Sequence, residues 1–280
     1  DDDQAIYAFQ GASPSEFINL KGVIDAQVAS RRVPKAIHKV AISILANIDE
    51  RLPKKWDPRD EEGEVIDHMF LEDIDFSTGN WMILTRTNDQ MNPIVEYLQS
   101  TGYKFDCKIN DLLPSDLLEA INIWDRLNKG ARVSGDEAAV LYEHLTKAEV
   151  KHGFKTQSFD NIDSVDLDEL RMNYGLTATG DWRILKMNEV QKQYVEDLEA
   201  RGEDLAEPAR IKVSTIHSVK GEECDNVILF TDLEKIIYDA AQVNKDTEHR
   251  LFFVGVTRAK NKLYIMDQGS EYQYNIGEDI

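Results

Sequence analysis

The chain has 280 residues, enough for one large domain or two modest ones and for a sizeable core. With 42% hydrophobic and 30% charged residues it has a globular composition, which excludes wholesale disorder, collagen-like repetition and a disulfide scaffold. A formal charge of −20 repels phosphate backbones and anionic lipid, so any nucleic-acid contact has to be local.

Apolar runs such as Val227–Phe230 fall far short of the roughly 18 residues that span a bilayer. Cys107 and Cys224 lie far apart and form no C-x-x-C, which fits a reducing compartment without structural zinc. The chain opens Asp1-Asp2-Asp3-Gln4 with neither an initiator methionine nor a signal-type pattern, and it reads as the latter part of a longer polypeptide. Tyr7 and Phe9 follow, ahead of Gly11. In an extended segment they project to one side, the spacing that stacks successive bases at about 1–3 kcal/mol each, although such a pair taken alone is more often core.

Arg31 and Arg32 precede Pro34 and a helical pattern over Pro34–Ile48, with apolar residues at Ile37, Val40, Ala41, Ile44, Leu45 and Ile48. Asp57–Asp75 holds nine acids against Arg59 alone and reads as a solvated loop and edge. Trp81–Thr85 is a candidate core strand, and Asp89–Gln99 carries Met91, Ile94, Val95 and Leu98 at helical spacing. From Cys107 to Glu207 the texture turns helical, with Leu117–Leu127, Asp136–Leu145 and Asn188–Ala200 and no buried-strand runs. Strand patterns resume at Ile211–Ile216, Val227–Thr231 and Leu263–Met266. The alternation predicts an α/β fold with a parallel sheet, split by a helical insertion.

Two stretches carry chemistry. His217, Lys220, Glu222 and Glu223 are placed at the carboxyl end of the strand over Ile211–Ile216, where open α/β sheets bind ligands. Residues 248–265 read as an amphipathic helix ending near Arg258, then a strand. Arg258 either favours the helix C-terminal dipole or neutralises charge on a transferred phosphoryl group. Basic islands at Arg31–Lys39, Pro208–Lys220 and His249–Lys262 contain no acid, and they either cluster by chance or converge on a polyanion. No G-x-x-x-x-G-K-[ST] occurs, so the chain supplies at most half of a nucleotide site.

Taken in order, these segments resemble the superfamily 1 DNA helicases of the UvrD/Rep type, from motif III to the end of the motor. DDDQAIYAFQGA (residues 1–12) resembles G-D-x-D-Q-S-I-Y-x-[WF]-R-G-A, with Gln10 in place of the usual arginine, which removes a cation from the strand path. SRRVPKAI (30–37) resembles motif IV, and its isoleucine register favours Arg32 over Arg31. MILTRTNDQMNPIVEYL (82–98) resembles the L-x-R-T-N-x-Q segment. VSTIHSVKGEECDNVIL (213–229) resembles motif V, T-x-H-x-x-K-G-L-E-F, departing at Glu222 and Cys224. FVGVTRAKNKLYI (253–265) resembles motif VI almost throughout.

The resemblance implies a RecA-like parallel sheet domain interrupted by a helical insertion subdomain. It places the remnant of a first motor domain at 1–20, the second domain at 21–106 and 208–280, and the insertion at 107–207, shorter than the family's usual duplex-contacting subdomain. It implies that Gln4 senses the γ-phosphate of ATP, that Arg32 and Arg258 reach the same phosphate, and that Glu223 lies on the ribose side. Tyr7 and Phe9 would stack on bases, and Thr215 and His217 would face the single strand. ATP and Mg2+ would be held mostly by a missing N-terminal RecA-like domain in cis, this chain contributing no metal ligand and being inactive alone.

The implied partners are single-stranded DNA and duplex junctions, with 3′-to-5′ unwinding, a role in DNA repair or replication, a monomeric state and a cytoplasmic location in a bacterial or viral setting. The alternatives are a non-catalytic DNA- or protein-binding module that keeps the fold, and the helicase part of a helicase–nuclease.

Overall fold

The computed structural model describes residues 1–7, 11, 13–20, 28–67, 70–109 and 111–278. Phe9 and Gln10 lie outside them. The chain divides into two compact units. One comprises Asp1–Val95, Phe105–Ile109 and Arg210–Ile280, and the other Glu96–Lys104 and Asn110–Ala209.

The first unit is built on a six-stranded sheet of β1 (Glu64–Asp67), β2 (Trp81–Thr85), β3 (Phe105–Asp106), β4 (Ile211–Thr215), β5 (Cys224–Phe230) and β6 (Ala259–Met266). The order is β1-β6-β5-β2-β4-β3 and every pairing is parallel. This is the α/β sheet expected from the alternating pattern. In β2, all five side chains are buried, because helices cover both faces of a parallel sheet and a central strand has no wet side.

The helices of this unit are α1 (Pro14–Ile18), α2 (Lys35–Leu45), α8 (Lys235–Ala241) and α9 (Lys245–Val256), while α3 (Asn92–Ser100) begins in it. Ile37, Ala41, Ile44 and Leu45 of α2 pack with Leu251, Phe252, Val254 and Val256 of α9 over Met82, Leu84, Val227, Leu229 and Leu263 of the sheet.

One expectation gains detail here and one is corrected. The edge expected within the acidic stretch Asp57–Asp75 is a strand, β1, registered Glu64↔Lys262 to Asp67↔Ile265 along β6. Its acids kept the pattern from reading as a strand, yet an edge strand leaves its charges in water and gains its hydrogen bonds from one neighbour. The helix in 248–265 is not amphipathic. Asp246, Glu248, His249 and Arg250 of α9 are buried along with its apolar residues, because its charged side chains find partners inside the unit.

The second unit is helical. It contains α4 (Ser115–Asn128), α5 (Gly135–His144), α6 (Leu167–Asn173) and α7 (Glu189–Arg201), tied by isolated antiparallel bridges at Val133↔Val165, Leu145↔Leu185 and Val150↔Leu176. Leu117, Ala120, Ile121, Trp124 and Leu127 bury one stripe of α4, and Trp124 Nε1 donates to Gly180 O at 3.0 Å. Helices α5, α6 and α7 each start with a capping box, from Ser134, Asp166 and Asn188. Lys104 is buried and its Nζ donates to the carbonyls of Asp204, Leu205 and Glu207, so a charged group is satisfied by backbone alone. Among the described residues, no helix is long and apolar enough to cross a membrane.

Candidate nucleotide and strand site

The parallel sheet sorts the candidate residues between its two edges. β5 starts at Cys224 and β6 at Ala259, in register with each other, and Cys224 N donates to Arg258 O at 3.0 Å. Glu222, Glu223 and Arg258 therefore lie at the amino edge of the sheet, while His217 follows the carboxyl end of β4. This corrects the expectation that His217, Lys220, Glu222 and Glu223 gather at the carboxyl end. The connection from β4 to β5 has to run back along the sheet before a parallel strand can begin, and it carries the two glutamates with it.

At the amino edge, Arg258 caps α9 from just beyond its end and is almost fully enclosed, 1% exposed. Its Nε donates to Val254 O at 2.8 Å, one terminal nitrogen to Glu222 O at 3.0 Å, and the other to Thr257 Oγ1 at 3.0 Å. Arg32, just before α2, donates its Nε to Glu223 Oε2 at 2.8 Å and a terminal nitrogen to Thr257 O at 3.1 Å. Arg31 is exposed. Burial, and then repulsion from Arg32, push the Arg258 guanidinium down to about 10. Burial, and then Arg258, likewise lower Lys220. Glu223 and Glu222 act on the Arg258 charge in the opposite direction, so the cluster sets its cations beside two acids.

Gln4 ends a short 3-10 turn over Asp2–Gln4. Its side-chain amide donates to Asp1 Oδ2 at 2.9 Å, and its carbonyl accepts from Lys220 Nζ at 2.7 Å. Lys220 Nζ also stands 5.2 Å from the centre of the Tyr7 ring. Tyr7 donates its hydroxyl to His217 O at 3.0 Å, with the two rings 6.4 Å apart. Thr215 Oγ1 shares a hydrogen bond with Ser218 Oγ at 2.9 Å. The structure thus joins Arg32, Glu223 and Arg258 in one cluster and Tyr7 with His217 in another, and Lys220 is the side chain that touches both Gln4 and Tyr7.

Several working residues carry no individual expectation from sequence. Arg86, just past β2, makes a two-pronged ion pair with the buried Glu248 at 2.8 and 2.9 Å. Burial and then Arg86 push the His217 imidazole down to about 4, so it is neutral at pH 7. Glu222, which departs from the usual leucine, receives Lys212 Nζ on both oxygens at 2.7 and 2.8 Å. That pairing explains the substitution: a lysine in β4 supplies the counter-charge. Cations of the basic islands are spent in the same way, Lys260 on Asp225 and Lys262 on Glu64. The available signal was charge inside an otherwise apolar run, as in EHRLFF, where a buried ion has to have a partner.

Among the described residues, the acids close enough to share a metal ion are Asp1, Asp2 and Asp3. Lys54 Nζ already reaches all three and Arg51 grips Asp3, so ammonium and guanidinium supply the counter-charge there. Burial raises the Asp2 carboxyl, but hydrogen bonds from Lys54 and from the Leu52 N–H outweigh it and hold the group below its ordinary range. The donors at the amino edge are cationic and suit phosphate oxygens rather than magnesium.

Residues 156–268 match the family model of the UvrD-like helicase C-terminal domain, 113 of the 280 residues. No match was found among curated proteins. The match, on a chain whose sheet is parallel throughout, supports a likeness to the C-terminal part of UvrD/Rep-type helicases.

Proposed function

We propose that this chain is the closing half of an ATP-driven motor that moves along single-stranded DNA and unwinds duplexes. The observation that carries the reading is the meeting of Arg32 and Arg258 at the amino edge of the sheet, where Arg32 bonds to Glu223 and to Thr257 O and Arg258 bonds to Thr257 Oγ1 and Glu222 O. Such a group is stabilised by an anion presented from outside and is well suited to the charge that develops on a γ-phosphoryl group during transfer. A P-loop domain elsewhere in the parent polypeptide would hold ATP with Mg2+, which would supply charge neutralisation on the phosphates. Arg32 is the mobile member: it is partly exposed and can exchange Glu223 for phosphate. Arg258 is anchored by α9 and presents a fixed charge.

Tyr7 and His217 form the strand-facing part, with Phe9 and Thr215 assigned to the same track by resemblance. Gln4 and Lys220 join the two parts, since Lys220 holds the Gln4 carbonyl and stands over the Tyr7 ring. Closure on ATP would draw the arginines onto phosphate and shift Tyr7 with Gln4, and hydrolysis would release both. The test is single-strand-stimulated ATP hydrolysis by the parent polypeptide beside its Arg32→Ala variant. Turnover is expected in the first and a fall of about 10³ or more in the second, with DNA affinity kept within a few-fold. An unimpaired variant would remove Arg32 from the reaction, and an inactive wild-type protein would favour the binding-module reading.

A further inference from the structure

Helices α2 and α9 run antiparallel. Arg32 ahead of α2 meets Thr257 at the end of α9, while Asp49 and Glu50 beyond α2 donate their N–H groups to the two carboxylate oxygens of Asp246, each at 2.9 Å, in the first turn of α9. One turn further along α9 lies Arg250, 3% exposed. Its Nε donates to Asp2 O at 2.9 Å, a terminal nitrogen donates to Glu50 O, and its carboxylate neighbour Asp246 is 3.7 Å away. A planar guanidinium bridging backbone carbonyls of two separate segments fixes both against its own helix.

The Asp1–Gln4 turn is held on its other side as well. Asp2 Oδ2 accepts from Leu52 N at 2.8 Å, Asp3 takes Arg51 through two bonds at 2.9 and 3.0 Å, and Lys54 reaches the three aspartates. We propose that Arg250 is a positioning residue: it sets the Asp1–Gln4 turn against α9, and so holds Gln4 in fixed relation to the helix that ends just before Arg258. This rests on the motor reading above for its consequence and on the geometry alone for the positioning. Arg250 through Asp2 O is the tie of the turn to α9, Lys220 holds the Gln4 carbonyl, and Leu52, Arg51 and Lys54 hold the aspartates, so loss of Arg250 loosens the turn's setting against α9.

The experiment compares Arg250→Met, Arg250→Lys and Lys54→Met with wild type in the parent polypeptide. ATP hydrolysis is followed under saturating single-stranded DNA. Arg250→Met is expected to lower kcat by about tenfold or more while KM for ATP stays within about twofold, because misplacement acts on the reacting geometry rather than on ground-state binding. Arg250→Lys, with donors for both carbonyls, should recover part of the loss, and Lys54→Met should fall in the same direction. A folded Arg250→Met protein with wild-type kcat, or one in which KM rises alone, overturns the proposal. If Arg250→Met does not fold, an unchanged kcat in Lys54→Met overturns it.

Amide hydrogen exchange at Gln4 and Ala5, whose N–H groups donate to Asp1 O and Asp2 O, separates this from the motor reading. Even if wild type hydrolyses no ATP, exchange there should quicken in Arg250→Met or Lys54→Met, and unchanged exchange refutes the positioning role.

Discussion

Arg258 and Arg32 carry the same charge into the same cluster, yet their surroundings predict very different costs of removal. Truncation of Arg258 to Ala leaves Val254 O and Glu222 O without their donor, at about 1–3 kcal/mol each. It also deletes a buried aliphatic stem worth about 2 kcal/mol. Working the other way, burial and the repulsion from Arg32 hold the guanidinium at about 10 instead of 12.5. Removing it therefore returns about 3 kcal/mol of electrostatic cost. The expected net loss is about 3 kcal/mol.

Arg32 is 28% exposed at its side chain and its partner Glu223 is 48% exposed, so the ion pair contributes little and Arg32→Ala, which also frees Thr257 O, should cost about 1–2 kcal/mol. Urea unfolding of the two variants beside wild type, followed by far-ultraviolet circular dichroism, measures the contrast through the transition midpoint at constant slope. Losses that agree within about 0.5 kcal/mol, or that fall in the reverse order, would refute the distinction between an anchored and a mobile arginine.

The remaining expectations concern one imidazole and one glycine. His217, held down to about 4 against an ordinary 6.5, favours its neutral form in the folded protein. Its contribution to stability is therefore complete above about pH 6.5 and lost as pH falls towards about 4, amounting to about 1–2 kcal/mol once partial exposure is allowed for. An NMR titration should place its midpoint near 4 and show it rise in Arg86→Met; a wild-type midpoint above about 6 would contradict the assigned environment.

Gly135 opens α5, where helix propensity alone predicts that Ala stabilises by about 1 kcal/mol. An added Cβ would stand 2.6 Å from Phe159 O and 2.8 Å from Ile162 O, which is backbone that cannot rotate away. Gly135→Ala should thus lower stability by about 1–3 kcal/mol in thermal unfolding, and a rise in midpoint would show that the segment over Phe159–Ile162 yields.

The sequence by itself determined the sheet's class, strands β2 and β4, and the later parts of β5 and β6, because these are short runs of β-branched and large apolar residues that a sheet covered on both faces buries, whereas the polar starts of β5 and β6 carry no such signal. It also determined the helices whose apolar stripes are one-sided, such as α2 and α4, and it marked Arg32, Glu223 and Arg258 through the order of the motifs. Only the tertiary structure decided where those residues meet. Glu223 and Arg258 share the amino edge since a parallel strand restarts at the end where its neighbour began, a fact of topology that linear spacing does not encode.

Strand β1 stayed hidden because an edge strand in water tolerates acids, and β3, over Phe105–Asp106, because two residues carry no period. Helix α9 looked amphipathic from residue 248 on because Glu248 and Arg250 are charged, and Asp246 lies just ahead of that stretch. Their partners, the Asp49 and Glu50 amides, Arg86 and the Asp2 carbonyl, come from distant parts of the chain, and it is those long-range bonds that allow buried charge at all.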